Sequence, residues 1–384
     1  MTRIRIAILS LLLAGSSAWA EDFKMSGDWQ TASARWTDNS PLFGKATSYL
    51  ARKNALTNTE TGGVVDFSIG QYAFNSQPSL LHGQTTLRAS IPTRTALVQK
   101  YDQKRPSQGL LNIAEGGNAI LLENVGITAA GNGGAAIAYN GTGSVPAGNL
   151  FLTNVRIGTA DYAHAFDYGL YLDGCSAHAG TYGIRDLRLV NVEIFSTHKA
   201  AAYFGCANEW SWIGGGAFDT APGASRDIQI VSTDSTPSAN GIITLPYART
   251  ITSTAGAFGT YEMNITVPHL QAVNFVSGKQ HEISVTGKSD SVTFQGCTCS
   301  HIVINGDVDR LIISGGVLTD VSVHGNVGAL LLNGGSVSRF NISGSAQSVR
   351  TSGMAMRMAD STIFGSVGAG IPMPGLRYLA NGAR

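Results

Sequence analysis

Between residues 158 and 169 the chain reads GTADYAHAFDYG. Asp161, His164 and Asp167 fall inside this run, and Tyr168, Tyr171, Asp173 and His178 follow closely. Carboxylates beside aromatic rings suit a sugar. Sugar faces stack on rings, and one carboxyl group can protonate a glycosidic oxygen while another acts as base or nucleophile. On that chemistry Asp173, Asp167, Asp161 and His164 are the candidate catalytic residues. Tyr168, Tyr171, His178 and Trp210 are candidate substrate-binding residues. Elimination would instead need a base near an acidic sugar and a cation for the developing negative charge. His164, Arg156 and Arg185 have the side chains for those parts.

Each of these residues also has a plainer reading. Asp161 and Asp167 suit a solvated loop, and Asp173 suits a turn before Gly174. Arg156 and Glu193 fall at equivalent positions of a repeat, which predicts a surface ion pair of about 0–1 kcal/mol. Trp210 and Trp212 alternate with Ser211, so at least one is expected in the core or on the coil surface.

The elements that carry these residues announce themselves by repetition. Residues 120–127 read ILLENVGI, 150–157 read LFLTNVRI and 187–194 read LRLVNVEI. This pattern predicts one edge of three successive coils, with Ile120, Leu150 and Leu187 stacked and Leu122, Leu152 and Leu189 stacked. Asn124, Asn154 and Asn191 then form a ladder at a corner, where Asn tolerates the left-handed conformation. A second edge aligns on Gly141, Gly174 and Gly205. It points Ile137, Leu170 and Ala201 inward and Asn140, Asp173 and Phe204 outward.

The last third keeps a strict step of 19 residues. Gly287, Gly306, Gly325 and Gly344 form one series, and Gly296, Gly315, Gly334 and Gly353 another. Apolar series keep the same step: Ile283, Ile302, Val321, Phe340; Val285, Ile304, Val323, Ile342; Val292, Leu311, Leu330, Val349; and Phe294, Ile313, Leu332, lapsing at Thr351. Within a cycle apolar and polar residues alternate, which is the strand period. Helical repeats need longer cycles. Stacked strands place equivalent residues about 4.8 Å apart and build a continuous core. The middle coils, at 30 and 37 residues, carry extra chain that must leave the coil as loops, the usual place for binding and catalysis.

At the N-terminal side, Ser40 suits an N-cap and Pro41 the first helical position of a run to Leu50. Gly62-Gly63-Val64-Val65-Asp66-Phe67, Gly70-Gln71-Tyr72 and Gly83-Gln84-Thr85-Thr86-Leu87 come next. This organisation resembles the pectate-lyase superfamily, tailspike-like proteins included. The resemblance implies an all-β, single-stranded right-handed parallel β-helix with a short N-terminal capping helix. It covers residues 30 to about 365 and speaks to fold more than activity. The polygalacturonase motifs are Asn-Thr-Asp, Asp-Asp, Gly-His-Gly and Arg-apolar-Lys; Ala177-His178-Ala179-Gly180 and Arg185-Asp186-Leu187 match them poorly and no Asp-Asp pair is present, so no catalytic set is carried over. Calcium is the cofactor the resemblance admits, but no acidic cluster supports it, and no metal or other cofactor is expected.

Cys175 and Cys206 follow Gly174 and Gly205 and are expected on neighbouring coils, close enough to bridge in an oxidising compartment. Cys297 and Cys299 are read as core filling. Arg3 and Arg5, a short apolar run and Ala18-Trp19-Ala20 read as a cleaved export signal, since the run falls short of the about 20 residues that span a bilayer. The expected division is a signal over 1–20, an N-terminal segment with the capping helix over 21–60, the β-helix over 61–365 and a tail over 366–384.

Of 26 Lys and Arg, two lie in the signal, leaving 24 against 25 Asp and Glu. A near-neutral chain argues against a nucleic-acid partner. The expectation is a periplasmic or secreted, polysaccharide-active enzyme, lyase or glycoside hydrolase, with no membrane insertion after cleavage. The alternative is a non-catalytic glycan-binding or surface structural protein. Oligomeric state is left open.

Overall fold

The computed structural model describes residues 21–25, 40–41, 43–45, 62–77, 80–91, 93–114, 119–141, 147–158, 162–175, 184–218, 227–231, 239–255, 261–351, 356–358, 361–363, 367–369 and 376–378. The chain is a right-handed parallel β-solenoid, about 70% strand. Among the described residues every strand pairing is parallel and joins one coil to the next.

Three sheets run along the axis in the N-terminal and middle coils. The first contains Gly63–Phe67, Thr85–Ala89, Ile120–Glu123 and Ala147–Thr153. The second contains Gly70–Phe74, Thr95–Gln99, Gly126–Ala129 and Arg156–Ile157. The third contains Gly109–Ile113, Ala135–Asn140, Tyr168–Asp173, Ala200–Gly205 and Asp227–Val231. In the final third, coils shrink to 19 residues and run directly between the first and third sheets, so Lys279–Gln295 contributes to both.

The stacked series hold. Ile120 pairs with Leu150 and Leu150 with Leu187, and Leu122, Leu152 and Leu189 do the same. Ile283, Ile302, Val321 and Phe340 stand in register, as do Val292, Leu311, Leu330 and Val349. These side chains are at most 2% exposed. Each such burial contributes about 1.5–3 kcal/mol. Phe294, Ile313 and Leu332 end against Thr351, which is exposed. The 19-residue glycines stack as well. A Cβ on Gly306 would strike the Gly287 carbonyl, one on Gly325 the Gly306 carbonyl, and one on Gly344 the Gly325 carbonyl. Any side chain there would push the coils apart. Gly353 lies outside the described residues.

The third sheet differs from expectation by one residue. Asp173 pairs with Asn140 on one side and with Gly205 on the other. Leu170 therefore sits against Ala202, not Ala201. Phe204 pairs with Leu172 and points inward, fully buried, instead of outward. Burial of a phenyl ring outweighs the alignment of two glycines.

At the N-terminal end, Ser40, Pro41 and 43–45 are helical. Phe43 is buried and packs on Phe67 and Phe74, with ring centroids 6.3 and 5.5 Å away. The Ser40 hydroxyl donates to the Ser76 carbonyl at 3.1 Å. The helix thus closes the core where the first coil would expose it. Glu21–Met25 adds a strand to Gly63–Phe67, and strands continue beyond 365 at Val367–Ala369 and Leu376–Tyr378. Residues 1–20 lie outside the described residues.

Candidate functional site

The third-sheet strand Tyr168–Asp173 lies between two stretches of extra chain, of which 162–167 and 174–175 are described. The outward residues of this strand form the site. Alternation fixes them: Leu170 and Leu172 fill the core, so Tyr171 and Asp173 face out. Register then sets Tyr203 of the next coil beside Tyr171. Their rings stack at 4.9 Å and 14°. Tyr168 meets Tyr171 edge to face at 5.2 Å and Tyr203 at 6.5 Å. Three phenols from two coils make one half-buried aromatic surface.

Asp173 borders it. Its Oδ2 accepts from the Tyr171 hydroxyl at 3.2 Å and its Oδ1 from the Cys175 N–H at 3.0 Å. Gly205 makes room for this carboxylate, since a Cβ there would lie 2.9 Å from Oδ1. Burial first, then the negative Asp173, pushes the Tyr171 phenol far up. Burial first, then Asp173, pushes Tyr203 up to about 12. Both tyrosines therefore remain hydrogen-bond donors at neutral pH and are poor bases.

Asp167 is engaged elsewhere. Its Oδ2 lies 2.8 Å from Lys199 Nζ and its Oδ1 3.6 Å from His198 Nδ1. Its carbonyl accepts from the Lys199 and Ala200 N–H groups. This carboxylate ties the chain at Phe166 and Asp167 to the next coil. The hydrogen bond to Asp167, ahead of other causes, raises the Lys199 amine above its ordinary value. His164 is exposed at the end of a short 3-10 turn, Tyr162–His164. Asp161 and His178 lie outside the described residues.

Other candidates sit apart. Arg156 is on the second sheet, 3.7 Å from Glu193 in its register position and 4.5 Å over the Phe195 ring. It is half exposed and forms the expected surface pair. Arg185 is exposed at the start of Ile184–Phe195 in the first sheet. Trp210 corrects an expectation: it is 3% exposed, pairs with Leu187 and packs against Phe204, so it serves the core and offers no ring to a ligand. A side chain on Gly241 would collide with its indole.

Cys175 and Cys206 are bridged, with Cα atoms 5.0 Å apart, and fasten the end of the site strand to the next coil. Cys297 and Cys299 are buried in the core, as expected, and are also bridged to each other. Among the described residues no three His, Cys, Asp or Glu side chains gather to hold a metal ion.

Tyr203, His198 and Lys199 were not among the sequence candidates. Tyr203 had a signal: aligning ring on ring, not glycine on glycine, places Tyr203-Phe204 against Tyr171-Leu172. No protein-family model, curated protein or solved structure matches this chain.

Proposed function

We propose that the protein is an exported β-helix of the pectate-lyase type that binds a polysaccharide across the third sheet of its middle coils. The supporting observation is the joined surface of Tyr168, Tyr171 and Tyr203 beside the Asp173 carboxylate. Half-buried rings give a sugar an apolar face, and the phenols and carboxylate give its hydroxyls donors and an acceptor.

Of the two forms of this reading, non-catalytic binding has the firmer support. Double-carboxylate hydrolysis needs two free acids about 5–9.5 Å apart. Asp167 is neutralised by Lys199, which leaves Asp173 as the described carboxylate of the surface. The enzymatic form, lyase or glycoside hydrolase, draws on the Tyr171–Asp173 hydrogen bond, a phenol donor held against a carboxylate.

A screen of the mature protein against acidic and neutral polysaccharides separates the forms. Retention in affinity electrophoresis with no unsaturated product and no new reducing ends is the result expected of a binder. Product formation that Asp173→Asn removes would establish an enzyme. Neither retention nor product across the panel would dismiss the proposal.

A further inference from the structure

The two stacked phenols carry a chemistry that a glycan seat does not use. Tyr171 and Tyr203 are register partners on adjacent parallel strands, so their backbones run about 4.8 Å apart. Their ring centroids lie 4.9 Å apart with the planes 14° from parallel. In such a pair two like side chains leave the sheet in the same direction. Asp173 acts on both hydroxyls. The Tyr171 hydroxyl donates to its Oδ2 at 3.2 Å, and its charge, after burial, raises the Tyr203 phenol. The ring carbons beside the two hydroxyls therefore share one side of the stack. Tyr168 meets both rings at a steep angle instead, 63° and 76°.

The scaffold keeps this pair together. The Cys175–Cys206 bridge joins the same two coils just beyond the strands, and Asp173 is held by the Cys175 N–H. Both rings are half-buried, open to electron transfer with a dissolved reagent and shielded from a second protein molecule. Closing the remaining gap between the rings takes side-chain rotation and no movement of the strands.

We propose that Tyr171 and Tyr203 form an oxidative cross-linking site, where a dissolved one-electron oxidant joins two coils through a carbon–carbon bond. Each phenol gives one electron to the oxidant and loses one proton. The Tyr171 proton passes to Asp173 and on to water, and the Tyr203 proton passes to water. The two phenoxyl radicals then couple at ring carbons ortho to oxygen. The hydrogen on each of those carbons moves to the oxygen of its own ring, which restores both aromatic rings and both hydroxyls. The net change is the loss of two electrons and two protons and the gain of one C–C bond. Both phenols are protonated at neutral pH, so electron and proton leave together. An acceptor already hydrogen-bonded to Tyr171 speeds that transfer. The product ties the same coils as the Cys175–Cys206 bridge and survives the thiols that open it. The step involves no glycan, so its failure and that of the polysaccharide reading are separate results.

The test is photo-oxidation of the dilute full mature protein by a ruthenium tris-bipyridine complex with persulfate, which takes up the electrons. Dityrosine fluorescence, and mass mapping of peptides after reduction and digestion, read the product. The expected product is an intramolecular link between Tyr171 and Tyr203. Tyr171→Phe and Tyr203→Phe keep a ring in the stack but have no hydroxyl to oxidise, and each should lower dityrosine at least about tenfold. Tyr247→Phe, an exposed ring stacked on Phe218, should leave the yield unchanged. Asp173→Asn should slow the link at least about tenfold. No link in the wild type, a link that joins Tyr168 instead, or wild-type yield in Tyr203→Phe would overturn the site. A wild-type rate in Asp173→Asn would overturn the proton transfer to Asp173.

Discussion

Asn191 donates its side-chain amide to Oδ1 of Asn154 at 2.9 Å, one coil away, and Asn154 donates in turn to Asn124 at 3.1 Å. All three hold left-handed backbone, with φ of 58° at Asn124 and 53° at Asn154 and Asn191. The same residue type thus satisfies the corner's conformation and ties each coil to the next.

Asn154→Ala removes both amide bonds and leaves at a positive φ a residue without the short polar side chain that lets Asn hold that backbone. The expected loss is about 2–3 kcal/mol. Asn154→Gly restores the backbone freedom and should recover about 1 kcal/mol of it. Chemical denaturation of the two variants beside wild type measures both steps.

The Cys175–Cys206 bridge spans 31 residues of sequence. Replacing both with Ser should cost about 2–4 kcal/mol, chiefly by freeing the unfolded chain. Because the bridge anchors the strand bearing Asp173 and Tyr171, the thermal unfolding temperature and polysaccharide retention should both decline. A variant that unfolds like wild type contradicts the bridge's structural role.

Alkaline pH offers a third test. Tyr203 is raised from an ordinary 10.0 to about 12 by burial. Its protonated form is favoured in the fold, so its contribution to stability is complete below pH 10 and is lost as pH climbs through 12. Tyr171 shifts the same way and further. Phenolate absorbance should therefore show tyrosines that titrate late, and Tyr203→Phe should flatten the fall in stability over that window. Uniform titration near pH 10 would contradict their burial.

How far the sequence carries depends on what each residue must satisfy. The asparagine corner was legible because few residue types accept that backbone. The 19-residue columns were legible because every inward position repeats without insertions. The third sheet was harder, since Gly174 and Gly205 look equivalent while the chain there is one residue out of step. That slip turned Phe204 inward and concealed Tyr203 as the stacking partner of Tyr171. Trp210 reads like a surface ring in the sequence because the room for its indole is made by Gly241, its register partner on the next coil. The capture of Asp167 by Lys199 joins residues 32 positions apart, which no local pattern reports.

The tyrosine surface itself is tested most directly by affinity for whichever polysaccharide wild type retains, compared between Tyr171→Ala/Tyr203→Ala and Phe218→Ala. Phe218 belongs to a similar ring stack on the second sheet, 5.2 Å from Phe195 and 5.8 Å from Tyr247, and controls for lost packing. The tyrosine pair is predicted to lose at least about tenfold in affinity, near 1.4 kcal/mol, while Phe218→Ala keeps it. Unchanged affinity in the folded tyrosine variant, or equal loss in both, would contradict a glycan seat on the third sheet.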